Sequence, residues 1–381
     1  MPCDNRKDMP QPVSPHYKPP RLLFLACAIF LGLSSLWLII ALRYSQTAWD
    51  FTQFYIAAHL PIRSLYSHAD FSAYGQRFLA PIGIKYYPPF VRPAVFSLAL
   101  KPLALFSYWL AFWIWAALGL ATYLASLLIL FRWRGLPKNI LPWFALFYPA
   151  MFGLVTGQDA SVYLLVFVVA LLLIVSGKET AGGCVLALCV YKFNLILLIP
   201  LVLLTKARWR ALLSFSITTG AAAVASVALV SPSKYLALLR TIPELTIGFV
   251  PGGFRGVTIR IGHPGWYFAV AVIGTIGCLY LIWRLPLVEA LSVGITGALM
   301  FSYHATWYDC TLLVFPMCVA WTRASHRMRA AMLALLVLPI AWLFGHEFFQ
   351  VTAELLIVVH FAGIAFRRRP QTDHAFGVSQ C

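Results

Sequence analysis

The stretch Ser107–Phe131, SYWLAFWIWAALGLATYLASLLILF, contains no charged residue. A membrane-spanning helix needs roughly 20 consecutive apolar residues, so this stretch predicts a span. Further apolar runs lie at 22–42, 139–155, 160–176, 181–204, 211–230, 265–283, 287–303, 307–322, 328–345 and 350–366. Repeated runs of this kind predict an all-α polytopic membrane protein.

The composition agrees with a membrane protein. Of the 381 residues, 61% are hydrophobic and 11% are charged, and the mean hydropathy is +0.82; soluble domains carry roughly 25% charged residues. The net charge of +17 comes mostly from lysines and arginines in short segments between the apolar runs. Such residues are topology signals and contacts for anionic lipids, so nucleic acid is not an expected partner. The eight cysteines show no CxxC spacing, and no disulfide framework or metal site is expected.

The positive-inside rule predicts on which side of the membrane each connecting segment lies. With a cytoplasmic N-terminus and 181–204 as a hairpin that returns to its own side, most basic residues fall in cytoplasmic segments, including the cluster Arg367–Arg369. A single crossing at 181–204 would place that cluster outside. The segment 90–106 contains charges and prolines and is short, so it predicts a re-entrant or interfacial element. The result is about 10 transmembrane crossings plus re-entrant or hairpin segments.

Three parts follow from this topology. Residues 1–20 are polar and proline-rich and predict a disordered cytoplasmic tail. Residues 21–369 form a single transmembrane domain with two larger external loops, 43–106 and 231–263. Residues 370–381 form a second cytoplasmic tail.

A few polar residues stand at the ends of the apolar runs or within them. Ionisable groups at such places are costly unless they are used or paired. The predicted topology puts the following on the external face: Asp50, Gln158, Asp159, Lys192, His304 and Asp309. This convergence predicts a substrate site there.

Each of these residues also has a purely structural interpretation, which remains open. Asp50 could begin an interfacial helix, and Asp159 could cap a helix N-terminus. Lys192 could snorkel or pair with Asp309, and His304 could be an ordinary hydrogen-bonded residue of the membrane interface.

A carboxylate beside aromatic loops that faces a basic residue at membrane depth suits one reaction well. A general base deprotonates an acceptor hydroxyl, while Lys192 neutralises the phosphate of a lipid-linked donor. Arg255, in the motif PGGFRG of the second loop, is a second candidate for the phosphate. The chain has no HExxH or GxSxG motif, so zinc and nucleophilic-serine chemistry have no support.

Five blocks resemble, in order, the bacterial DUF2029 proteins of glycosyltransferase family 87, over roughly residues 45–320. They are DFTQFYIAAHL, YPPFVRPAVFSLALKPLALFSYWLAFWIW, GQDASVYLLVFVVALLL, AGGCVLALCVYKFNLILLIPLVLLTKARWRA and HATWYDCTLLVFP. The resemblance implies a GT-C fold and an inverting mannosyltransferase-like enzyme that uses a polyprenyl-phosphate sugar. The acceptor would be a glycolipid, a glycan or a protein.

The resemblance also implies roles for individual residues. Asp50 would be the catalytic base and Lys192 would serve the donor phosphate. Gln158 matches a GQ block, and Tyr308 with Asp309 matches a YD pair; with Asp159 and His304 these would bind substrate. Two departures are Asp159, where Asn is common, and Phe193–Asn194, where Pro usually follows the lysine.

The expected setting is the bacterial inner (plasma) membrane, with the active site on the external, periplasmic face and no cofactor or metal. A multi-span transporter or lipid flippase is the alternative, and a non-catalytic subunit of an envelope assembly complex is a third. The chain shows no internal repeat, and its charges lie near one face rather than at the midplane, which disfavours a transporter.

Overall fold

The computed structural model describes residues 50–85, 87–236, 238, 252–337 and 346–367. Those residues form helices and turns without any strand. The predicted tails 1–20 and 370–381, the apolar run 22–42 and part of the loop 231–263 lie outside the described residues.

The loop after the first apolar run is itself helical and packs as a small layer. Its helices are α1 Phe51–His59, α2 His68–Tyr74 and α3 Ala94–Leu100, with a π turn at Gly75–Leu79 and 3-10 turns at Ile62–Ser64, Ala80–Ile82 and Lys101–Leu105. Prolines at 88, 89 and 93 keep the chain before α3 out of a helix. Helix α3 and its 3-10 extension are too short to cross a membrane, in agreement with a re-entrant or interfacial segment at 90–106.

The next segments carry the chain across the bundle and back. They are α4 Tyr108–Arg134, a 3-10 turn at Lys138–Ile140, α5 Leu141–Ala145 and α6 Tyr148–Thr156. The predicted span 139–155 is therefore not one straight helix, since it bends by 42° between α5 and α6. Pro149, in the first turn of α6, lacks the backbone N–H that would continue the preceding helix.

The segment predicted as a hairpin returns to its starting side. Helix α7 Ala160–Val175 precedes it and α11 Trp209–Val230 follows it. The segment 181–204 itself lies within α8 Glu179–Ala187, a 3-10 turn at Leu188–Lys192, α9 Phe193–Ile196 and α10 Ile199–Thr205. Arg208 Nη1 lies 2.8 Å from Glu179 Oε1, so the two ends of the segment meet, as a hairpin requires. Lys192 therefore stands at the tip, at the same end of the bundle as Asp159.

The remaining helices complete the bundle, and the helix Leu287–Phe301 lies at its centre. They are α12 Gly253–Arg260, α13 Trp266–Arg284, α14 Leu287–Phe301, a 3-10 turn at Trp307–Leu313, α15 Val314–Trp321, α16 His326–Val337 and α17 His346–Arg367. Helix α14 is buried without interruption from Glu289 to Met300, so the main hydrophobic core surrounds it.

Within the described residues, five helical segments are long and apolar enough to span a membrane, or six if the bent pair α5–α6 counts as one. The five are Tyr108–Arg134, Glu179–Ile196, Trp209–Val230, Trp266–Arg284 and Gln350–Arg367. The chain is thus an all-helical polytopic membrane protein. The number of about 10 crossings stays a prediction, because runs such as 287–303 form shorter helices and 22–42 is not described.

Candidate active site

Asp50 stands directly before α1, and its side chain makes no capping hydrogen bond to that helix. The carboxylate instead accepts a hydrogen bond from the side-chain amide of Gln158. The residue is half-buried. Asp50 is therefore placed by a neighbouring element and not by the helix that it precedes.

The electrostatic surroundings of Asp50 favour its protonated form. Burial is the largest effect and raises the pKa of Asp50 to about 6, even though the hydrogen bond from Gln158 and the charges of Lys192 and Arg92 act to lower it. The negative charge of Asp309 adds a small upward shift. A carboxylate with a pKa near 6 is a stronger proton acceptor than an ordinary aspartate and is still mostly ionised at pH 7.

A left-handed glycine explains why Gln158 reaches Asp50. Helix α6 ends at Gly157, whose φ is +79°, and the N–H of Gln158 then donates to Gly153 O at 2.7 Å. Trp115 Nε1 donates to Gly157 O at 3.0 Å. A β-carbon at Gly157 would collide with Phe51, so only glycine allows this turn to pack against the start of α1.

Asp159, Lys192 and Asp309 form a buried ion network. Lys192 Nζ lies 2.8 Å from Asp159 Oδ1 and 2.6 Å from Asp309 Oδ1. Asp159 occupies the N-cap position of α7 without a capping hydrogen bond from its side chain. The interpretation of Asp159 as a helix cap is therefore wrong, because its carboxylate is turned to cations. Burial acts to raise the pKa of Asp159, but Arg92 and Lys192 together hold it below its usual value.

Asp309 is oriented by its own helix start. Its Oδ2 accepts hydrogen bonds from Thr306 N at 3.0 Å and Thr306 Oγ1 at 2.9 Å, which makes a capping box for the 3-10 turn Trp307–Leu313. Oδ1 is thereby left to face Lys192. The spacing of Thr306 and Asp309 is the sequence signal of this box, and sequence reasoning did not use it.

Arg92 is the site residue that sequence reasoning missed. Its Nη2 donates to Asp159 Oδ1 at 3.2 Å and lies 3.1 Å from Oδ2. The guanidinium lies 5.9 Å from the Phe54 ring centroid and 5.7 Å from that of Tyr191. In the sequence, Arg92 indicated only that the segment 90–106 is not a membrane span. An arginine beside a buried segment also needs a partner, which was a signal for its role in the site.

The other predicted residues lie around this network. Lys192 Nζ is 5.4 Å from the Tyr308 ring centroid. His304 is exposed, within electrostatic range of Asp309, Arg92, Lys192 and Arg255, and its carbonyl accepts from Asn194 Nδ2 at 2.6 Å.

Arg255 contacts Tyr303, in the loop that follows α14. Its guanidinium lies 3.5 Å from the Tyr303 ring centroid, and Nη1 donates to Tyr303 O at 2.7 Å. Gly252 N donates to Ala305 O at 2.6 Å, which ties the start of α12 to the loop. All eight predicted site residues therefore lie at one end of the bundle, with Asp50, Gln158, Asp159, Lys192 and Asp309 in closest association.

Among the described residues, no three His, Cys, Asp or Glu side chains are grouped as a metal site would require. The model of glycosyltransferase family 87 matches residues 86–344 of this chain. The chain belongs to glycosyltransferase family 87. No curated protein matches it.

Family 87 membership confirms the resemblance drawn from the motif blocks and makes the chain a glycosyltransferase rather than a transporter. The matched residues include the Gln158–Asp159 turn, the hairpin tip at Lys192 and the Tyr308–Asp309 pair. Asp50 precedes the matched region and joins the site through its hydrogen bond with Gln158.

Proposed function

We propose that the protein transfers a hexose, with mannose as the expected sugar, from a polyprenyl-phosphate donor to a hydroxyl of an envelope acceptor. The observation that carries this proposal is the pairing of Asp50 with Gln158: a carboxylate of raised pKa, beside two cations, in a membrane protein of glycosyltransferase family 87. Such a carboxylate suits a general base that works near neutral pH.

The proposed step is a single displacement at the anomeric carbon. The acceptor oxygen forms a bond to that carbon while Asp50 takes the hydroxyl proton. The bond from the anomeric carbon to the phosphate oxygen breaks, and the polyprenyl phosphate leaves with the electron pair. Attack from the face opposite the leaving group inverts the configuration, and no covalent enzyme intermediate forms.

Gln158 suits the acceptor side of this step. Its Oε1 is buried and has no hydrogen-bond partner, while its amide group holds Asp50. An acceptor hydroxyl that donates to Oε1 would relieve an unsatisfied buried oxygen. Asp159, Tyr308, Asp309 and His304 complete the proposed substrate surroundings.

The donor phosphate would be stabilised by positive charge at the same end of the bundle. Lys192 supplies charge from a buried position, and Arg255 supplies it from the neighbouring loop. Because positive charge at this end of the bundle offsets the charge of the leaving phosphate, the proposed mechanism requires no metal.

The proposed orientation follows from the basic residues. The N-terminus lies in the cytoplasm, and the site faces the external side of a bacterial inner membrane, where a lipid phosphate in the bilayer and a hydroxyl at its surface can meet. The acceptor would be a glycolipid, a glycan or a protein of the envelope.

A transfer assay tests the proposal. Purified protein is incubated with radiolabelled polyprenyl-phosphate mannose and an envelope lipid extract, with and without EDTA. We expect acceptor-dependent transfer that EDTA does not change, and a product of inverted anomeric configuration by NMR. Absence of transfer and of donor hydrolysis with polyprenyl-phosphate mannose, glucose and galactose alike, or transfer from a nucleotide sugar, would contradict the proposed donor class.

A further inference from the structure

We propose that Arg92 binds the phosphate of the lipid-linked donor directly, and that Lys192 instead positions the two carboxylates of the site. The inference deepens the proposed function, on which it rests, and changes the expected role of Lys192.

Lys192 has little capacity left for a phosphate. Its side chain is 3% exposed, and its ammonium group contacts Asp159 at 2.8 Å and Asp309 at 2.6 Å. Two carboxylates already exceed its single positive charge. Turning Lys192 toward a phosphate would break a buried ion pair, a change that leaves an uncompensated buried charge.

Arg92 still has a guanidinium donor without a hydrogen-bond partner. A guanidinium carries five N–H donors in a planar fork, and the contacts with Asp159 involve Nη2. The Nε–H is buried and has no hydrogen-bond partner. A buried donor without a partner is costly unless a ligand satisfies it, and a phosphate oxygen that accepts from this Nε–H would remove that cost.

Arg92 is also fixed in position before any ligand arrives. Its carbonyl accepts a hydrogen bond from Tyr66 Oη at 2.7 Å, and its guanidinium lies near the rings of Phe54 and Tyr191. Phe54 lies about one helical turn after Asp50, which directly precedes α1, so Arg92 lies beside the first turn of α1. Its side chain is 11% exposed, so the guanidinium is held in a mostly buried position.

This arrangement suits the charge change of the reaction. The donor phosphodiester carries one negative charge, and the leaving polyprenyl phosphate gains a second when the bond to the anomeric carbon breaks. An arginine can donate two parallel hydrogen bonds to such a group, which a lysine cannot. Asp159 contacts Nη2, which orients the guanidinium, and leaves the Nε–H for the phosphate.

A double-mutant cycle tests whether Arg92 binds the donor phosphate or serves only as the counter-ion of Asp159. The variants are Arg92→Met, Asp159→Asn and the double variant, with Arg77→Met, an exposed arginine of the same loop, as the control. Two quantities are measured: kcat/KM for polyprenyl-phosphate mannose, and the rise in unfolding temperature that sugar-free polyprenyl phosphate produces.

We expect the double variant to fold, because both members of the ion pair are removed together. Its kcat/KM should fall on the order of 100-fold below that of Asp159→Asn, and polyprenyl phosphate should no longer raise its unfolding temperature. Arg77→Met should keep both values. Arg92→Lys retains the charge opposite Asp159 and serves if the double variant does not fold; it should lose at least about tenfold in kcat/KM, because the fork is lost.

Equal kcat/KM in the double variant and Asp159→Asn, or an unchanged Arg92→Lys, would overturn the inference. If the wild type transfers no sugar, the proposed function fails, and the thermal shift by polyprenyl phosphate still decides the role of Arg92. A shift that survives in the double variant overturns that role, and a shift that disappears supports it.

Discussion

Asp50 and Asp159 occupy the same position relative to a helix, and their pKa values are shifted in opposite directions. Each directly precedes a helix at the same end of the bundle, and neither caps that helix with its side chain. Burial raises the pKa of Asp50 to about 6, whereas two cations hold the pKa of Asp159 below its usual value. Lys192 and Arg92 act on both carboxylates, but their ion pairs are with Asp159. Direct ion pairing, and not position in the chain, therefore separates the counter-ion from the base.

The largest predicted effect is the loss of folding stability when Lys192 is replaced. Lys192→Met would leave Asp159 with Arg92 alone and Asp309 without its cation. Breaking a buried ion pair in this way destabilises a protein by about 3–5 kcal/mol. Thermal unfolding in detergent and the yield of folded protein measure the loss.

Arg208→Met is the matched control for Lys192→Met. It breaks the partly exposed ion pair with Glu179 at the other end of the same hairpin, and such a pair contributes no more than about 1 kcal/mol. Equal losses from the two substitutions would contradict a buried network centred on Lys192.

A smaller effect is expected at the turn that brings Gln158 to Asp50. Gly157→Ala puts a β-carbon into Phe51 at a φ of +79°, so strain and overpacking together cost about 2–4 kcal/mol. Gly83→Ala separates the two terms, because Gly83 has a similar φ of +87° with nothing nearby. Denaturant unfolding should give a clearly smaller loss for Gly83→Ala, and equal losses would show that the contact with Phe51 is unimportant.

The smallest effect is a pH dependence that distinguishes the two carboxylates. A base must be ionised, so kcat/KM should be constant above pH 7 and fall about tenfold per pH unit below the Asp50 pKa of about 6. The groups acting on Asp50 are Gln158, Lys192, Arg92 and Asp309. Gln158→Leu removes a hydrogen bond to the carboxylate and should move the midpoint upward.

Asp159 should not contribute to this profile, since its pKa lies below the usual range of an aspartate. A profile that is flat between pH 5 and 7, or a midpoint that Gln158→Leu leaves in place, would contradict the assignment of the midpoint to Asp50.

Much of the site could be predicted because membrane topology sorts polar residues by side. Asp50, Gln158, Asp159, Lys192 and Asp309 each lie where an apolar run ends or folds back, and the hairpin at 181–204 brings Lys192 to the others. The meeting of Glu179 and Arg208 supports this hairpin. The positions of apolar runs and charges are sufficient for such a prediction, because only helices and closed barrels can span a bilayer.

Residue partners could not be predicted in this way, because they depend on distances between segments far apart in the chain. Arg92 and Asp159 are 67 positions apart, and nothing local in either segment indicates the contact. The cap interpretation of Asp159 failed for the same reason, since a local hydrogen bond was considered and two distant cations were not. The bend between α5 and α6 had a local signal in Pro149, which the apolar run obscured.

Transfer by Asp50→Asn, measured beside the wild type with the same donor and acceptor, tests the central claim most directly. Asparagine can keep a hydrogen bond with Gln158 and cannot accept the acceptor proton. We predict an unfolding temperature close to that of the wild type and a loss of kcat of about 10²- to 10⁴-fold. A folded Asp50→Asn protein that transfers sugar as fast as the wild type would contradict Asp50 as the base.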